Sequence, residues 1–166
     1  MNTKENTTNI LLSGVGGQGI LTMAEVICLV AVKDGFHVKK SEVHGMAQRG
    51  GSVESHVRFG PEIFSPLIPF AQVDYLVCLH PQEHERMKGF LKNDGTDLFE
   101  YFDKAKTISA NPKYLNSAML GVTAACLNLK VESWENVFNI FFANKNLEEN
   151  LEVFHEGYKI VNKRMK

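Results

Sequence analysis

The chain has 166 residues, 44% of them apolar and 22% charged, which suits one domain with a real hydrophobic core. A formal net charge of −1, without any polybasic run, excludes the usual basic signature of nucleic-acid or membrane-surface binding. Residues 1–9 are polar, so no secretory signal is expected, and the apolar-rich stretch 19–32 contains Thr22 and Glu25 and is too short to span a bilayer.

Residues 9–13 are apolar and bounded by glycine, and read as a buried strand. A glycine turn, 14–19, leads into a helix over 20–33 that Asp34-Gly35 ends. That helix is apolar on more than one face, so it is buried on several sides or lies at a subunit interface, and a homodimer is one expectation. A strand over 36–43 and a polar, glycine-rich loop follow. Residues 52–59 alternate, with Val53, Ser55, Val57 and Phe59 on one side and Ser52, Glu54, His56 and Arg58 on the other. This pattern predicts a half-exposed strand. A further strand covers 73–79 and a helix 81–91, with Pro81 in its first turn.

The stretch 93–111 is the least legible, and 107–110 reads as a short strand. Helices follow over 116–129, where Gly121 allows close packing, then over 133–143 and 147–163, with Ser133 and Asn146 as N-caps. The expected fold is α/β: one Rossmann-like three-layer domain over 1–166, with a mostly parallel sheet and helices on both faces.

Gly14, Gly16 and Gly19 match the spacing G-x-G-x-x-G between a strand and a helix. Glycines there let an anion approach the backbone, and the helix N-terminus offers N–H groups and partial positive charge. Glu42 stands near the place of a ribose-binding acid, so a freestanding nucleotide-dependent oxidoreductase remains open. A P-loop is excluded, because no Gly-Lys-Ser/Thr follows. Cys28, Cys78 and Cys126 each stand alone among apolar residues. They read as buried hydrophobes in a reducing cytoplasm, not as cluster ligands. His80 and His84 share helical spacing but lack a third zinc ligand, and Glu83 and Glu85 read as solvated.

The first glycine turn, Gly14-Val15-Gly16-Gly17-Gln18-Gly19-Ile20, is followed by Ser41-Glu42-Val43-His44-Gly45-Met46-Ala47-Gln48-Arg49-Gly50-Gly51. As an ordered pair these resemble the gamma domain of 2-oxoacid:ferredoxin oxidoreductases, found in pyruvate, ketoisovalerate and indolepyruvate enzymes. Asn116-Ser117-Ala118-Met119-Leu120-Gly121 and Gly157-Tyr158 incline it toward the small, beta subunit of the indolepyruvate type. The polar run Asn93 to Tyr101 departs from that pattern.

The resemblance implies oxidative decarboxylation of a 2-oxo acid, using thiamine diphosphate, coenzyme A and ferredoxin. This chain lacks grouped cysteines for iron–sulfur clusters. Its Asn93-Asp94-Gly95 is not the glycine-flanked acid of a thiamine diphosphate site. Both cofactors are therefore expected in a larger catalytic partner, with coenzyme A possible at the interface and ferredoxin meeting the assembly only indirectly. The candidate binding residues are Gly14, Gly16, Gly17, Gln18, Gly19, Glu42, Gly45, Gln48, Arg49, Gly50 and Gly51, with no catalytic residue and no metal ligand. Arg49 could clamp a phosphate or carboxylate, or could pair with Glu42 or Glu54 to hold its loop. A purely noncatalytic assembly module is the remaining alternative.

Overall fold

The computed structural model describes residues 6–45 and 50–162. Five strands, β1 (Thr8–Val15), β2 (His37–His44), β3 (Ser52–Gly60), β4 (Val73–Cys78) and β5 (Leu91–Asp97), form one sheet in the order β2-β3-β1-β4-β5. Six helices accompany them: α1 (Ile20–Lys33), α2 (Pro81–Met87), α3 (Phe102–Ser109), α4 (Leu115–Cys126), α5 (Val131–Phe141) and α6 (Leu147–Asn162).

The α/β class is as expected, but the sheet is mixed. β1 pairs in parallel with β4, and β4 with β5, whereas β3 runs antiparallel to both β1 and β2. Four strands thus share one direction and β3 alone opposes them. The reason is the connection from His44 to Ser52. It is too short to carry a crossover back to the far edge of the sheet, so β3 returns as a hairpin and wedges between β2 and β1.

Alternation sorts the side chains onto two cores. Ile10, Leu12, Val57 and Val77 face a large cluster with α1, α4, α5 and α6, centred on Met23, Ile27, Met119, Trp134, Phe138 and Phe154. Leu11, Val73, Leu76 and Cys78 face a smaller one with Ile68 and Met87. Both faces carry helix, but unequally: α2 and the connection 61–72 are what cover the second.

That connection overturns the half-exposed reading of β3. Arg58 donates to the Ser65 and Leu67 carbonyls at 2.9 and 3.2 Å, and His56 Nδ1 accepts from the Ile68 N–H at 3.2 Å. The polar face of β3 is polar because it binds the backbone lying over it, and Ser55, His56 and Val57 are buried.

Of the two readings of the apolar α1, burial on several sides holds: eight of its residues are buried, with Leu29 and Val32 left exposed. Two further expectations are corrected. Residues 107–110 are not a strand but the end of α3, and the strand of this region is β5. It is polar because it is an edge. Its Lys92 pairs with Asp74 at 2.5 Å, and Gly95 sits at a register shift where a Cβ would lie 2.8 Å from the Val73 carbonyl oxygen. Finally, Ser133 is not the N-cap of α5, which starts at Val131. The cap is supplied from the end of α1, where Asp34 accepts from the Lys130 N–H at 2.7 Å and from the Ser133 hydroxyl at 2.5 Å.

Candidate functional site at the carboxyl edge of the sheet

β1 and β2 end at the same edge, and β3 begins there, so the two glycine segments are brought together. The Gly16 N–H donates to the Gly51 carbonyl at 2.9 Å, and the Gly45 N–H to the Ser52 carbonyl at 2.7 Å. A Cβ on Gly16 would lie 3.6 Å from the Gly50 nitrogen, so a side chain much larger than methyl would wedge the loops apart. Gly17 and Gly50 have φ of 92° and 64° with open space beyond their Cα atoms. Gly19, at φ 82°, caps α1 without a side-chain hydrogen bond, and the first turn of α1 carries no acid. The backbone is therefore open at Gly17 and Gly50, whereas Gly19 lies against the Asn116 amide, whose Nδ2 is 2.6 Å from where a Cβ would stand; the helix end is electropositive.

The other predicted residues fare differently. Gln18 is turned inward. Its Oε1 accepts from the Val15 N–H at 2.8 Å and its Nε2 donates to the Leu79 carbonyl at 2.8 Å, which ties the first loop to the end of β4. Glu42 is bound to Lys40 at 3.1 Å, and Lys40 also meets Glu25 at 2.5 Å. Because β3 separates β2 from β1, Glu42 stands two strand spacings, roughly 10 Å, from the first glycine loop. This weakens the freestanding nucleotide reading, whose acid belongs on a strand beside β1. Gln48 and Arg49 lie outside the described residues. Of the two acids considered as partners for Arg49, Glu42 is engaged by Lys40, and Glu54 by Arg86 at 2.5 Å.

A polar knot beneath the loops escaped the sequence reading. Glu83, taken as solvated, is 9% exposed. It accepts from the hydroxyls of Ser13 and Ser52 at 3.1 and 2.8 Å and from Arg86 at 2.5 Å. Burial pushes the Glu83 carboxyl up, but the hydrogen bonds from Arg86, Ser52 and Ser13 prevail and hold it below the usual range. Glu54 is held low too, first by the His56 imidazole 3.9 Å away and then by Arg86, against the opposing effect of burial. The signal was Ser13, a buried serine that directly follows the apolar run Ile10-Leu11-Leu12, a place where a hydroxyl usually has a partner.

Two cavities flank the first loop. One, of about 400 Å³, is lined by Gly16, Gly17, Gly19, His44 and Val53. The other, of about 430 Å³, is lined by Gln18, Leu79, His80, Phe102, Lys106 and Leu115. It opens between the ends of β1 and β4, from which the chain departs to opposite sides of the sheet, the usual place for ligands in such folds.

The cysteines remain thiols. Burial pushes Cys28 up to about 12, Cys126 up to about 11 and Cys78 higher still. His80 accepts from the Gln82 N–H, and His84 binds Asp97 at 2.6 Å while stacking on Phe99. No group of three or more potential metal ligands occurs among the described residues, and none of their helices is long and apolar enough to cross a membrane.

The family model for pyruvate ferredoxin/flavodoxin oxidoreductase matches residues 9–104 and 95–160. The chain belongs to this family. The two matches overlap over residues 95–104, from the end of β5 into the start of α3, which includes most of the run that departs from the expected pattern.

Among family relatives, indolepyruvate oxidoreductase subunit IorB of Pyrococcus horikoshii is 44% identical over 87 residues, covering 52% of this chain and 43% of the relative. IorB of Archaeoglobus fulgidus is 48% identical over 86 residues, covering 52% and 42%. The match thus spans less than half the length of these curated relatives. The 2-oxoglutarate synthase subunit KorC of Methanocaldococcus jannaschii is 27% identical over 91% of this chain and 92% of its own.

The fold recurs in two solved structures. A keto/oxoacid ferredoxin oxidoreductase gamma subunit from Geobacter sulfurreducens superposes with a TM-score of 0.72 at 22% identity, covering 92% of this chain and 96% of that one. The 2-oxoglutarate:ferredoxin oxidoreductase from Magnetococcus marinus, with 2-oxoglutarate, coenzyme A and succinyl-CoA bound, gives 0.77 at 17% identity, covering 96% and 32%.

Proposed function

We propose that the chain is the small subunit of a 2-oxoacid:ferredoxin oxidoreductase of the indolepyruvate type. Its paired glycine loops would meet the larger catalytic subunit and coenzyme A. The observation that carries this reading is the Gly16–Gly51 hydrogen bond. It joins the two motifs into one backbone surface beside an electropositive helix end. The family membership and the IorB relatives support the choice of reaction and substrate class.

The residues here do not fit the redox and thiamine cofactors. The three thiols are separate and buried or half-buried, and Asp94 lies exposed on edge strand β5 beside Lys92. We therefore assign thiamine diphosphate and the iron–sulfur clusters to the partner. Such clusters in the partner would supply the route by which electrons from the 2-oxo acid reach ferredoxin, and the separate thiols of this chain favour a reducing cytoplasm.

An anion does fit the loops. Gly16, Gly17, Gly19, Gly50 and Gly51, with Gly14 and Gly45 shaping the turns, would hold the phosphates of coenzyme A, whose thiol accepts the acyl group. Gln48 and Arg49 are proposed to add side-chain donors to the same surface.

The test is affinity purification of the tagged chain from its own cells, with mass spectrometry of what accompanies it. A larger iron- and thiamine-bearing chain should copurify, and 2-oxo-acid-dependent ferredoxin reduction should require both. Activity with nicotinamide cofactors by the chain alone would defeat the reading.

A further inference from the structure

Ser13 immediately precedes the first glycine loop and Ser52 immediately follows the second. Both hydroxyls donate to one atom, Oε2 of Glu83. The same oxygen receives Nε and Nη2 of Arg86 at 3.1 and 2.5 Å, and Arg86 also reaches Glu54 at 2.5 Å and Ser52. One carboxylate on α2 thus grips the strand that leads into the first loop and the strand that leaves the second.

Its place in the helix is unusual for such a task. Glu83 occupies the third helical position, where a glutamate ordinarily reaches back to its own N-cap. Here His80 caps the helix through Gln82, which leaves Glu83 to reach across the sheet. Packing alone would favour an apolar residue there, as at Met87 one turn later, because a buried carboxylate is costly unless fully paired.

We infer that Glu83 is a positioning residue that fixes the spacing of Gly14–Gly19 from Gly50 and Gly51 for partner binding, with Arg86 orienting its carboxylate. This rests on the reading of the loops as the partner-facing surface.

The test uses the full chain and the larger chain recovered from its native complex. Glu83→Gln and Ser52→Ala are compared with the wild type for dissociation constant, measured well below the melting temperature, and for amide exchange in both loops. Gly16→Val, which separates the loops directly, is the control. Faster exchange in both loops, with binding weakened about tenfold, is the expected result. A merely structural residue would lower the melting temperature without moving the dissociation constant of the folded protein. Unchanged binding by the Glu83 and Ser52 variants, with Gly16→Val weakened, would overturn the positioning role and leave the loop surface standing. Unchanged binding by Gly16→Val as well would remove the loop surface and the positioning role together. If Glu83→Gln does not fold, Ser52→Ala decides alone.

Discussion

At the scale of the residue, Glu83 and Glu54 set an acid limit on stability. Both carboxyls are held below the ordinary glutamate value of 4.5 in the folded chain. A depressed folded value means that their contribution is fully present above the unfolded value and is lost as pH falls through the folded one. Glu83→Gln should cost about 1–3 kcal/mol near neutrality, since it removes charge-assisted bonds at a buried site. The gap to wild type should close as the pH drops below the ordinary glutamate value. Urea midpoints measured across that range check both statements. The thiols give a second test. With Cys28 pushed up to about 12 and Cys126 to about 11, the native chain should resist iodoacetamide at mildly alkaline pH and become alkylated when unfolded, as mass spectrometry would show.

At the scale of the element, α4 and α6 approach through their glycines. A Cβ on Gly121 would stand 2.0 Å from the Phe154 carbonyl oxygen, and one on Gly157 2.1 Å from that of Ala118. Backbone cannot yield as a flexible side chain can. Gly121→Ala or Gly157→Ala should therefore destabilise by about 3 kcal/mol or more, read from thermal or urea unfolding. Asp34 links two other helices by capping α5 from the end of α1. Asp34→Ala should cost about 1–2 kcal/mol in the same assay. The close packing at Gly121 was legible, because a glycine inside an apolar helix has few other uses. The cap was not, since Asp34 and Lys130 are far apart in sequence and only packing makes them neighbours.

At the scale of the whole molecule, apolar surface is not where composition suggested. The apolar α1 is covered except at Leu29 and Val32, while Phe64, 81% exposed, and Phe70, 68% exposed, project from the connection over the thinner face of the sheet. Phe64→Ser should change stability by no more than about 0.5 kcal/mol, as calorimetry would show, because it removes little buried contact.

The sequence by itself determined β1, α1, β2, β3, β4 and most of the later helices, because periodicity and glycine or proline punctuation are local signals. It also determined the pairing of two glycine motifs that marks the family. Tertiary structure alone decided the insertion of β3 between β2 and β1, the edge strand β5, the inward turn of Gln18 and the burial of Glu83. Each depends on which distant segment lies opposite. Strand order fixes what faces Glu42, and the meeting of α2 with Ser13 and Ser52 turns a glutamate that looked solvated into a buried anchor.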